Sequence, residues 1–139
     1  MKYKIDFESA PKADDTQILC DGVAENAKTK KGHNPASFFA FFIRDENKKI
    51  IGGCNGAILH DWSYVDQLWI SESLRGQGYG TQLMTIAEKY AKEKNSRFIS
   101  VNTYDWEAPY FYKKLGFYVE FERYNFDKDS IFYFLRKDL

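Results

Sequence analysis

Between Tyr64 and Lys94 the chain changes its period. Strand-type patterning over residues 64–70 gives way to helical spacing, and three glycines at every second position, Gly76, Gly78 and Gly80, mark the junction directly after Arg75. Beyond them Leu83, Ala87, Tyr90 and Ala91 fall on one stripe of a helix over residues 78–94, while Gln82, Glu88, Lys92 and Glu93 face away. A second strand pattern, "RFISVN", follows at residues 97–102. A strand, a helix and a strand in that order require a crossover connection, which is right-handed and imposes at least one parallel pair. A hairpin is excluded, because no strand pattern follows the glycines directly.

The remaining segments attach to this unit. Residues 14–28 carry Ile18, Leu19, Gly22, Val23 and Ala27 at helical spacing, with Asp14 and Asp15 placed to cap the helix, and a short strand over Tyr3 to Phe7 precedes it. Gly32 and Pro35 break the polar stretch 28–37 into a loop. "SFFAFFIR", residues 37–44, is apolar almost throughout, which suits a strand covered on both faces. Strands over 50–59 and 64–70 complete an antiparallel meander. A short helix over 109–115 ends at Gly116, and strands over 117–123 and 131–136 close the chain. The last of these is expected to pair within the sheet or with a second subunit. The expected class is α+β, one domain over residues 1–139.

Composition removes several function classes. Lysine plus arginine and aspartate plus glutamate stand at 20 each, so the chain lacks the overall positive charge that nucleic acid or an anionic membrane attracts. The aromatic strand 38–42 lacks the basic and glycine residues of an RNA-recognition sheet. No signal-type segment and no run of ~18 apolar residues occurs, so a cytosolic location with no membrane partner is expected. Cys20 and Cys54 form neither a C-x-x-C pair nor a disulfide framework, and with His33 and His60 they offer no zinc spacing, so no metal site is expected. His60, Asp61 and Ser63 have the residue types of a hydrolytic triad, but nearly consecutive side chains in a turn diverge. The 12 Phe, 10 Tyr and 3 Trp are more than a ligand site needs and are read chiefly as core.

Glycines between a strand and a helix N-terminus expose amides that, with the helix dipole, suit a phosphate. The P-loop pattern fails, because no lysine follows any of these glycines. The dinucleotide fingerprint fits poorly, since the third glycine comes one residue early and the sheet opens with a meander. What remains is R-x-x-G-x-G, met by Arg75, Gly78 and Gly80.

This loop, with "LWISESLRGQGYGTQLMTIAEKYAKE" around it and "YFYKKLGF" after it, resembles the GCN5-related N-acetyltransferase (GNAT) family. The similarity extends over residues 48–137, and the pairing of "VDQLWISESLRGQGYG" with "TYDWEAPYFYKKLGF" is most similar to a bacterial branch of unassigned acceptor. The resemblance implies the acyl-CoA N-acyltransferase fold, a mixed sheet of six or seven strands flanked by helices. It also implies acetyl-CoA as cosubstrate and acetyl transfer to an amine by direct attack. By the same resemblance, the main chain of Leu68, Trp69 and Ile70 would pair with pantetheine, with an amide near Ile70 facing the oxyanion. Arg75, Gly76, Gln77, Gly78, Tyr79, Gly80 and Thr81 would hold the pyrophosphate, and Tyr112 would stand beside the departing sulfur.

Within that frame, Phe111 and Leu115 share an i, i+4 face, which leaves Tyr112 about 100° round the helix axis and directed to the cleft. A tyrosine near pKa ~10 can donate to a thiolate of pKa ~8.5 if the site narrows that gap. Asp66 is the carboxylate on the strand that leads to the reacting carbonyl, on one face with Tyr64, Leu68 and Ile70, and is either the base or a structural or substrate-binding acid. The relatives' glutamate on this strand falls nearest Tyr64, and Glu72 in the following turn is a further acid. Asp105 replaces the family's asparagine and would cap the short helix or meet the amine; Asn102 is then the nearer partner for a pantetheine amide. The acceptor is a small-molecule or a protein amine. The alternative reading is a non-enzymatic acyl-CoA-binding sensor or interaction module.

Overall fold

Opposite charges stand at the two ends of the first helix, α1 (Ala13–Lys31), with Asp14 and Asp15 in its first turn and Lys28, Lys30 and Lys31 in its last. The computed structural model describes residues 2–139, which fall into two compact units, one ending at Pro35 and the other running from Ala36 to Leu139. In the first unit Lys12 occupies the N-cap without a side-chain bond, so the expected caps Asp14 and Asp15 lie inside the first turn and act through the dipole instead. Gly32, with φ 71°, ends the helix and returns its N–H to the Lys28 carbonyl. The expected strand over Tyr3–Phe7 does not form: these residues are irregular, with no neighbouring strand to take their amides.

The second unit is built on a six-stranded sheet. Its strands are β1 (Ser37–Arg44), β2 (Ile50–Leu59), β3 (Trp62–Ile70), β4 (Phe98–Tyr104), β5 (Tyr118–Arg123) and β6 (Phe132–Asp138), in the order β1-β2-β3-β4-β6-β5. All neighbours are antiparallel except β3 and β4, the parallel pair the crossover required. The last strand lies inside the sheet between β4 and β5, so of the two expected pairings the intramolecular one is made.

The crossover helix α2 (Tyr79–Glu93) buries Leu83, Met84, Ala87 and Ala91 against Val65, Ile99, Val101 and Leu135. Each fully buried aliphatic of this kind contributes about 1.5–3 kcal/mol. Tyr90, on the same stripe, is half-buried and packs on the rings of Phe39 and Phe41. A short α3 (Pro109–Lys114) starts with proline in its first turn and is closed by Gly116 at φ 97°. β1 departs from its expected double burial. It is an edge strand, with Phe39, Phe41 and Ile43 packed on the core while Phe38 and Phe42 are 67% and 53% exposed. An unbroken apolar run signals a strand covered on both sides only where the strand is central.

Two features open the sheet. β3 and β4 pair only from Ser63–Ile99 to Val65–Val101, after which β3 continues with β2 alone. In the β2–β3 ladder Asn55 faces Gln67 and Gly56 faces Val65, which leaves Asp66 as an extra, bulged residue. The bulge breaks alternation, so Val65, Leu68 and Ile70 all belong to the core side. The expected common face of Tyr64, Asp66, Leu68 and Ile70 is therefore not formed.

Candidate active site

Where β3 runs past the end of its pairing with β4, a cleft of about 560 Å³ opens. Its walls are Leu68, Trp69 and Ile70 on the strand, Leu74, Arg75, Gly76, Gly78, Tyr79, Gly80 and Thr81 on the loop and helix start, and Ala108 and Phe111 near α3. Eleven of the thirteen expected donor-holding and catalytic residues are in β3, the loop or the start of α2, and of those eleven only Asp66 and Gln77 stand outside the cleft wall.

The loop's shape follows from its glycines. After a single 3-10 turn, Glu72–Leu74, the chain reverses through Gly76 at φ 77° and Gly78 at φ 87°, a region that costs any other residue about 1–2 kcal/mol. A Cβ at either position would meet nothing within 4 Å, so it is the turn and not crowding that requires glycine there. Gly78 is the N-cap of α2 and supplies no side chain, no acid stands in the first turn, and the first intrahelical bond across the cap runs from Gln82 N–H to the Gly78 carbonyl. The helix start thus presents amide donors and the positive end of the dipole to the cleft, an arrangement that receives an anion. Arg75 Nε donates to the Ile70 carbonyl at 3.1 Å and ties the loop to the strand end. Gln77 Nε2 turns back to the Ser73 carbonyl at 3.1 Å.

Tyr112 lies otherwise than expected. It is 7% exposed, its ring edge-on to Phe111 and Phe117, and Phe111 takes the place on the cleft wall. The helix is short and one-sidedly covered, so Phe111 and Tyr112 divide the cleft and the core in the reverse of the expected sense. Burial, then Glu107 and Cys54 nearby, pushes the phenol up to about 12. That widens the gap to a thiol. The hydroxyl makes no hydrogen bond to protein, yet no buried polar side-chain atom among the described residues lacks a partner, so the oxygen reaches the surface.

The other polar candidates gather on the opposite face of β3 and β4. Tyr64 Oη donates to Asp66 Oδ1 at 3.5 Å and accepts from Asn102 Nδ2 at 3.4 Å, so Asn102 is spent on this chain and is not on the cleft wall. Burial first, then Asp66, raises the Tyr64 phenol above its ordinary value. Asp105 neither caps α3, whose N-cap is Ala108, nor stands free. Its Oδ1 accepts from Ile131 N–H at 3.1 Å. Ser63 is fully buried and paired with Ser96, and Asp61 is ion-paired with Arg97 at 3.7 Å, so no hydrolytic triad assembles. Cys54 is buried with its thiol pushed up to about 11 by desolvation, and Cys20 is exposed. Sequence reasoning missed the bulge at Asp66 and the ring cluster beyond β4; the only signal for the second was the aromatic spacing at Tyr104 and Trp106.

Among the described residues no helix is long and apolar enough to cross a membrane. The model of the acetyltransferase (GNAT) family matches residues 5–117. A blasticidin-S acetyltransferase of Streptomyces morookaense is 34% identical over 84 residues, 60% of this chain and 62% of that protein. The chain spans less than two thirds of the length of the curated relatives it matches. A crystal structure of an acetyltransferase from Bacillus cereus superposes with TM-score 0.77 at 27% identity, covering 96% of this chain and 98% of that one. A GNAT acetyltransferase from Elizabethkingia anophelis with acetyl-CoA bound shares the fold at TM-score 0.64 and 21% identity, covering 96% and 95%.

Proposed function

We propose that this chain, which belongs to the acetyltransferase (GNAT) family, moves an acetyl group from acetyl-CoA to a primary amine. The observation that carries the reading is the cleft at the strand splay, with an uncapped helix start at one end and the unpaired flank of Leu68–Ile70 at the other. Its lining and chemistry suit a donor with a diphosphate and an amide-rich arm: amides of Gly76–Thr81 and Arg75 take the anion, and the main chain of Leu68, Trp69 and Ile70 pairs with the arm as an added strand. Gln77 shapes the loop through its bond to Ser73.

In the transfer, Asp66 holds the acceptor ammonium and receives its proton directly or through water. The nitrogen lone pair then forms the C–N bond as the C–S bond breaks, the nitrogen's second proton passes through water to the departing thiolate, and an amide near Ile70 faces the developing oxyanion. With its phenol near 12, Tyr112 sits some 3 to 4 units above a thiol of pKa ~8.5, so full proton transfer to a thiolate would cost about 5 kcal/mol. Tyr112 therefore serves as a hydrogen-bond donor to the departing sulfur, its proton staying on oxygen. Asn102 orients Tyr64 and Asp66 and so acts one step removed from the donor. Residues 1–139 act as one acetyltransferase domain, in keeping with a family match that runs through both compact units. The acceptor is a small molecule or a protein amine.

The burial of Tyr112 behind Phe111 favours a second reading, a protein that binds acyl-CoA and does not turn it over. Thermal shift with coenzyme A, beside release of free thiol from acetyl-CoA with a panel of amines, separates the two. A shift without amine-dependent thiol release supports the binding module, and no shift at all overturns both.

A further inference from the structure

We propose that the cleft framed by Tyr104, Trp106 and Phe126 seats a planar ring, and that the amine acceptor carries such a ring; the second half rests on the acetyl-transfer reading. At the end of β4 the rings of Tyr104 and Trp106 stack 5.3 Å apart and only 10° from parallel. Phe126 meets Tyr104 edge-on at 5.5 Å, and Phe132 meets it at 4.7 Å. Tyr104, Trp106 and Phe126, with Asp127, Lys128 and Ser130, line a cleft of about 540 Å³.

Trp106 is the informative member. It is 68% exposed, yet its indole N–H donates to Ser130 Oγ at 3.1 Å, which fixes the ring. The segment that carries it is clamped as well: Asp105 N–H donates to the Ile131 carbonyl at 2.9 Å, Ile131 N–H to Asp105 Oδ1, and Tyr104 N–H to Glu107 Oε1 at 2.9 Å. An aromatic surface held rigid before binding loses little conformational entropy when a flat ligand arrives. Stacking of a planar ring on such a face is enough for a roughly tenfold preference.

The ledge is continuous with the proposed acceptor machinery. On β4 Phe98, Ser100, Asn102 and Tyr104 alternate with the buried Ile99, Val101 and Thr103, so Asn102 and Tyr104 share a face about 7 Å apart along the strand. Asn102 in turn bonds Tyr64, and Tyr64 bonds Asp66 at the bulge where the strands part. A ring on Trp106 and an amine near Asp66 would lie along one strip of the sheet.

The test compares acetylation of 2-phenylethylamine, 2-cyclohexylethylamine and propylamine by the full chain and by Trp106→Leu and Trp106→Phe. For 2-phenylethylamine we expect KM to rise roughly tenfold in Trp106→Leu with kcat within twofold, recovery in Trp106→Phe, and little change for propylamine. Saturation-transfer NMR with indole, run without acetyl-CoA, should show contact with the parent and its loss in Trp106→Leu. Equal KM changes for all three amines, or indole contact unaffected by Trp106→Leu, would overturn the ring seat. If indole contact is lost as expected while the parent acetylates no amine, the seat stands and the acetyl-transfer reading falls.

Discussion

The guanidinium of Arg75 is anchored through Nε on the carbonyl of Ile70, 3.1 Å away and five residues back in the chain. One nitrogen of the fork thus fixes the loop to the end of β3, and the two terminal nitrogens are left for an anion. Lysine has a single ammonium and cannot serve both ends.

Arg75→Lys is therefore expected to weaken coenzyme A binding by about tenfold, close to the loss of one charge-assisted bond, with thermal stability almost unchanged. Calorimetric titration with coenzyme A measures it. An affinity equal to the parent's would show that Arg75 only braces the loop.

Gly78→Ala should lower stability by about 1–2 kcal/mol, because its φ of 87° is strained for alanine although no atom stands in the way of the methyl. If the turn relaxes to relieve the strain, the first amides of α2 swing out of line and coenzyme A affinity falls as well. Urea denaturation with and without coenzyme A reads both effects; a variant as stable as the parent would refute the strain.

Tyr112→Phe removes a hydroxyl that has no protein partner, so folding stability should change by less than about 1 kcal/mol. Under the proposed role kcat should drop by about 10- to 100-fold while the affinity for coenzyme A holds. Steady-state kinetics at saturating acetyl-CoA decides this, and an unchanged kcat would leave Tyr112 a packing residue.

Alkaline stability follows from two buried groups. Cys54 rises from 9.0 to about 11 and Tyr112 from 10.0 to about 12, so each holds its proton more tightly folded than unfolded. Their contribution is complete below the unfolded values and is lost as pH climbs from about 9 to 11 for Cys54 and from about 10 to 12 for Tyr112. At roughly 1.4 kcal/mol per pKa unit, each carries on the order of 2–3 kcal/mol. Denaturation midpoints should fall from pH 9 upward, and Cys54→Val should delay that fall toward pH 10. A midpoint flat to pH 11 would contradict both shifts.

The loop and its helix were legible because glycine spacing and a 3.6-residue period are local properties. Gly76, Gly78 and Gly80 stand where a chain must turn sharply into α2, and the cleft formed there. Asp66 was not legible in the same way: a bulge is decided by how β2 registers on β3, and nothing within residues 64–70 announces it. Tyr112 shows a related limit. Angular position on α3 was right, but which side of so short a helix faces the core depends on Phe117 and on Cys54 of a distant strand. The double burial expected of "SFFAFFIR" failed for the same cause, since strand order is a global outcome and the run itself is equally apolar at an edge.

Asp66 makes β3 one residue longer than its partner's ladder requires. Were the bulge ironed flat with Asp66 drawn into the ladder, strict alternation would rotate Leu68, Trp69 and Ile70 by half a turn relative to Val65 and turn the aliphatic pair outward. The donor groove would then vanish even with every glycine of the loop intact. Its existence is a matter of counting along one strand.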